Sequence, residues 1–269
     1  IFLIDRMRTP LTQKFLLVVL LLPLLLSCDK NPDTTPVKTL LNLKSITTTG
    51  SSWTSREDFT YNNKGQLEAI HWKRQTPYET IGSEEYYYDQ AGQLSHIIKK
   101  ISGLADEELQ FTYLQNQVIA TSSFVNGKKI AYQLYEYDAE GRLDLVAFFS
   151  YNSTANGFDR NGEHRYAYFS DGNVKEIQKF DFSAENATLT WNSTKAYTAY
   201  LEASNPRSLD SDVPGILIQR NLPIGYELRY PSSTYPYHFT YHFNADGYLS
   251  KRETTYNDGT MEVAVYTYE

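Results

Sequence analysis

Apolar and polar positions alternate along this chain in short runs, and the runs end in recurring turns. The pattern is plainest in "FTYNNKGQL" from Phe59, "YYYDQAGQL" from Tyr86, "YEYDAEGRL" from Tyr135, "YAYFSDGNV" from Tyr166 and "YHFNADGYL" from Tyr241. Aromatics at i and i+2 share one face of a strand, because successive side chains point to opposite sides. Asn62, Asp89, Asp138 and Asn244 then open a turn by bonding their own backbone. Gly65, Gly92, Gly141, Gly172 and Gly247 supply the left-handed residue that closes it. The unit predicted is a β-hairpin. "FTYLQNQV" from Phe111 is a worn copy in which Asn116 takes the place of glycine, and "YTY" at Tyr266 is a front half without its turn.

The copies begin at residues 59, 86, 111, 135, 166 and 241. A step of about 26 residues holds two strands and two turns, so the chain from 59 onward has room for about eight hairpins. The expectation is an all-β fold: an antiparallel meander of about 12–16 strands, closed or nearly closed into a barrel-like sheet. No amphipathic helical stretch competes with it. The best loop is 201–212, with any short helix there or just before Pro214.

Strict alternation places Phe59, Tyr61, Tyr86, Tyr88, Phe111, Tyr113, Tyr135, Tyr137, Tyr166 and Tyr168 on the inner face, joined after each turn by Leu67, Leu94, Leu143, Val174 and Leu249. Counted on from those leucines and valines, His71, His96 and Glu176 also face inward, where with Tyr86, Tyr88, Tyr135 and Tyr137 they are candidate ligand-binding residues in a polar lumen. A β-bulge after each glycine would reverse this, sending the polar set to solvent and making Ile70, Trp72, Ile97, Val146 and Phe148 the buried face. A membrane-spanning barrel is disfavoured, since strands such as "VKEIQKFDF" carry charge on both faces.

The first residues add an address. Met7 reads as the initiator, with 1–6 as upstream sequence; Arg8 and Lys14 form a basic start, and the apolar run 15–26 is shorter than the roughly 20 residues a spanning helix needs. The segment 1–27 is therefore expected to be a signal peptide. It ends in Leu25-Leu26-Ser27-Cys28, which resembles a bacterial lipobox. That resemblance implies lipid attachment at Cys28, with 28–37 as a proline-bearing tether and 38–269 as a single hairpin-repeat domain. Cys28 is the one cysteine, so no intrachain disulfide is possible.

Composition narrows the partners. A formal net charge of −7 with no basic patch makes the chain a poor candidate for nucleic acid, whose phosphates need such a patch. Tyrosine stands out at 23 residues and suits half-wet strands whose rings stack on sugars while their hydroxyls bond them. The five histidines lack metal-ligand spacing; His238 and His242 lie about 13 Å apart along a strand. Glu57-Asp58, Glu84-Glu85 and Asp106-Glu107-Glu108 offer carboxylates for a glycosidase pair, though acidic runs at strand starts are commonly solvated. No phosphate loop, nucleophile elbow or zincin motif is present, and no cofactor is implied.

The hairpin template resembles the Tyr-Asp repeats of large bacterial wrapping shells. It is more similar still to a family of lipobox-bearing Bacteroidetes proteins, uncharacterised in function and described as porin-like in fold. The resemblance covers 59–175 and 235–269. It implies a barrel and brings no catalytic residues. The function expected is a non-enzymatic envelope lipoprotein, at the periplasmic face or cell surface of the outer membrane, that binds a glycan, a peptide or an envelope protein. The alternatives are a structural or assembly protein and a glycoside hydrolase.

Overall fold

The computed structural model describes residues 41–206 and 216–269. Cys28 and the stretches expected to form the tether and the signal peptide lie outside the described residues. The first eight strands are β1 (Leu43–Thr49), β2 (Thr54–Tyr61), β3 (Leu67–Gln75), β4 (Glu79–Tyr88), β5 (Leu94–Ile101), β6 (Glu107–Leu114), β7 (Gln117–Val125) and β8 (Lys128–Tyr137). The rest are β9 (Leu143–Asn152), β10 (Gly157–Tyr168), β11 (Val174–Ser183), β12 (Thr188–Ser204), β13 (Asn221–Tyr230), β14 (Ser233–Phe243), β15 (Leu249–Thr255) and β16 (Met261–Tyr268). Each pairs antiparallel with its sequence neighbours, and β1 pairs with β16 to close a barrel of sixteen strands. The eight hairpins expected are therefore present. Residues 201–204, expected in a loop, belong to β12.

The repeated turns cluster at one end, here the motif end. Each is closed twice by the backbone: the Gly92 amide donates to the Asp89 carbonyl and the Asp89 amide to the Gln93 carbonyl, with Gly92 at φ +81°. The acidic or amide side chain fills the remaining demand, as where Asp138 Oδ1 accepts from the Glu140 and Arg142 amides.

Directly after each turn comes a bulge. Tyr61 pairs with Leu67 and Thr60 with Ala69, which leaves Glu68 unopposed. Ser95, Asp144, Lys175 and Ser250 are skipped in the same way. The bulge lets two apolar residues three positions apart face inward together: Leu67 with Ile70, Leu94 with Ile97, Leu143 with Val146, Val174 with Ile177. Their burial is the physical reason for the shift, since Ile97 and Val146 are 1% and 0% exposed.

One relationship recurs around the whole motif end. In every hairpin a tyrosine hydroxyl on the even-numbered strand donates to a carbonyl near the start of the strand before it. The pairs are Tyr61 to Leu43, Tyr88 to Leu67, Tyr113 to Leu94 and Tyr137 to Val118. They continue with Tyr168 to Leu143, Tyr200 to Val174, Tyr241 to Pro223 and Tyr268 to Leu249. These eight bonds tie the hairpins together above a core of Phe59, Ile70, Tyr135, Val146, Tyr166 and Tyr197. Residues 216–220, just before β13, lie against this end. Ile218, 2% exposed, joins the core, and buried Asn173 accepts from the Arg220 and Asn221 amides.

Candidate functional site

With the core at the motif end, free space inside the barrel lies toward the other. A cavity of about 390 Å³ opens between β12–β16 and β1, floored by core residues Ile46, Leu222 and Tyr266. Its wall is a run of rings. Tyr226 contacts Tyr197 edge-on at 5.8 Å and stacks on Tyr237 at 4.4 Å, and Tyr237 meets Tyr256 edge-on at 5.3 Å. Strand alternation brings them together: Tyr197 pairs with Tyr226 and Tyr226 with Tyr237 across neighbouring strands. Burial pushes the phenols of Tyr226 and Tyr256 up to about 12, so both are neutral donors at physiological pH.

Two cations and one carboxylate share this lining. Lys195 Nζ sits 4.5 Å from the Tyr226 ring centre and 5.2 Å from that of Tyr197; the Arg252 guanidinium lies over Phe239 at 5.4 Å. Glu262 is committed on both oxygens, accepting from Arg252 at 3.2 Å and from the Tyr256 hydroxyl at 2.9 Å.

A second inner cavity, about 370 Å³, lies against β2–β4 and is lined by Glu57, Ile70, Trp72, Arg74 and Glu84 among others. The Trp72 ring packs against Gly82 of β4, where any side chain would collide with it. The Tyr86 hydroxyl donates to Glu84 at 2.6 Å.

The bulges overturn the inward placement of three candidates. His71 pairs with Asp58 and Ser83 on the outer wall. His96 stacks on outward-facing Tyr87, centroids 4.4 Å apart and planes within 4°, with Nδ1 2.9 Å from the Ser95 hydroxyl. Glu176 lies 3.8 Å from Arg229 on the same exterior. The four tyrosines do face inward, but their hydroxyls are engaged. Tyr86 bonds Glu84, Tyr88 and Tyr137 bond carbonyls of the tier, and Tyr135, 5% exposed, donates to Gln133 at 2.5 Å and lies 3.1 Å from the Thr121 hydroxyl. No single cavity gathers all seven.

The residues that do line the larger cavity, Lys195, Tyr226, Tyr237, Arg252 and Glu262, were not singled out from sequence. Most come from β12–β14, where the repeat has lost its template. "LSKR" at Leu249 was the available signal, since Arg252 stands where the other hairpins place their second inward apolar residue.

The outer wall carries ion pairs at many levels: Arg56 with Asp58, Lys100 with Glu85, Arg229 with Glu227, Lys251 with Glu253. Charges facing lipid would cost about 2–4 kcal/mol each for Arg or Lys at mid-bilayer, so this wall is built for water.

No family model matches the chain, and no curated protein matches it. Among solved structures the barrel is similar to a porin-like protein from Bacteroides uniformis, with 13% identity over 86% of this chain and 99% of that one and a TM-score of 0.59. A porin-like protein from Bacteroides vulgatus aligns over the same shares at 15% identity and a TM-score of 0.45. At this identity the likeness to the first is one of fold, and it agrees with the closed meander.

Proposed function

We propose that this barrel is the head of a lipid-anchored envelope protein at the outer membrane, and that it binds a saccharide-sized ligand in its larger inner cavity without turning it over. The carrying observation is the wall formed by Tyr197, Tyr226, Tyr237 and Tyr256 around about 390 Å³ of space. Ring faces of this kind stack on pyranoses, and a barrel mouth with a few placed polar groups suits a small ligand. Hydrolysis by the usual glycosidase route needs a pair of carboxyl groups flanking the bond, whereas Glu262 is the one carboxylate among the described lining residues. A charged outer wall and an acylated Cys28 fit together, because the anchor supplies a membrane attachment that the wall does not.

The smaller cavity favours a second reading as a glycoside hydrolase: Glu57 and Glu84 both line it, beside Trp72. A glycan array run with a reducing-end assay separates the two. Retention without cleavage supports the binding module; cleavage abolished by Glu57→Gln or Glu84→Gln replaces it with the hydrolase. For the anchor, Cys28→Ala is expected to release the protein from the membrane fraction, and a mutant recovered there at wild-type mass and amount contradicts lipidation.

A further inference from the structure

We propose that the ligand of the larger cavity is anionic, a carboxylate-bearing saccharide whose acid group is held at Lys195. This rests on the reading of that cavity as the binding site and adds the charge of its occupant.

The argument is a count of donors and acceptors. Glu262 is the acceptor with charge in the lining, and both its oxygens are taken. On the donor side, three groups lack an acceptor among the described residues. Lys195 contacts the Tyr197 and Tyr226 rings and makes no ion pair there. Arg252 Nε and Thr254 Oγ1 are buried polar atoms with no hydrogen-bond partner, and Thr254 is 4% exposed. Arg252 and Thr254 are two apart on β15 and so share the inner face, and all three residues line the same space. Buried polar groups left without partners are costly, so a donor surplus at a cavity wall marks where a ligand brings acceptors. The net charge agrees in sign: two cations to one carboxylate, inside a chain whose formal net charge is −7. A uronic acid meets all of this, since its ring face stacks on tyrosine, its carboxylate pairs with the lysine, and a turn of the Arg252 and Thr254 side chains toward the cavity brings their donors to its hydroxyl oxygens.

The test is isothermal titration of the mature chain with digalacturonate and with galactobiose, its neutral counterpart, against wild type and Lys195→Met, which keeps the apolar stem and removes the charge. The expected result is digalacturonate bound at least about tenfold more tightly than galactobiose by the wild type, with that margin lost in Lys195→Met. Equal affinity for the two sugars, or a margin that survives in Lys195→Met, overturns the anion assignment and leaves the cavity reading standing. No saturable binding of either sugar overturns both.

Discussion

The Tyr137 hydroxyl donates a 2.7 Å hydrogen bond to the carbonyl of Val118 on the preceding strand, and the same bond is repeated once in every hairpin of the barrel. It explains why the hairpin motif carries two aromatics. In the copies at 59, 135 and 166 the first, Phe59, Tyr135 or Tyr166, is buried as core, and the second reaches past it to a carbonyl of the preceding strand. Tyr137→Phe removes the donor and leaves the ring. The expected cost is about 1 kcal/mol, read as a lower urea midpoint at unchanged m-value. Tyr132→Phe, on the outer wall and stacked on Phe149, is the control and should shift the midpoint by less than half as much.

The bulge after each turn makes two adjacent residues opposite in consequence. Ile97 is 1% exposed and faces the core, whereas His96 faces out against Tyr87. Ile97→Ala should cost about 2–5 kcal/mol, and His96→Ala about 1 kcal/mol or less. Chemical denaturation of the two variants decides the register: comparable losses, or the larger loss at His96, would mean that strand alternation runs through the turn without a bulge.

Burial holds the phenols of Tyr137, Tyr226 and Tyr268 at about 12, against an ordinary value of 10. A raised acid pKa means that the fold favours the neutral form. That contribution is complete below pH 10 and is lost as pH rises from 10 toward 12, where the unfolded chain releases protons that the barrel still keeps. The urea midpoint should therefore fall across that interval, and the share of phenolate absorbance that comes from the buried rings should appear together with unfolding. Full tyrosine ionisation in a barrel that stays folded would contradict it.

Much of the fold was legible because it is written locally and repeatedly. Gly92 and Asp89 specify a turn in any context, and one such turn about every 26 residues fixes the number of hairpins. What alternation alone missed was the single skipped residue after each turn, and one residue is enough to exchange the faces of a strand. The remedy was present in "LEAI", "LSHI", "LDLV" and "VKEI", where apolar residues three apart face inward together only if a residue between them is skipped. The cavity was less legible for a different reason. Lys195, Tyr226, Tyr237 and Arg252 lie on four different strands, partly in the degenerate middle of the repeat, and only closure of the sheet brings them to one wall.

The central claim is that ligand enters this cavity, and filling the cavity tests it most directly. Thr48, half-buried on β1 and part of the lining, is the residue to enlarge. The measurement is glycan-array binding of wild type and Thr48→Trp, each checked for an unchanged circular dichroism spectrum. The account predicts that saccharides retained by the wild type are lost from Thr48→Trp while the fold is kept. Retention of the same saccharides by a folded Thr48→Trp would contradict it and move the search to the outer wall, where Lys129 lies over Tyr132 and Phe158.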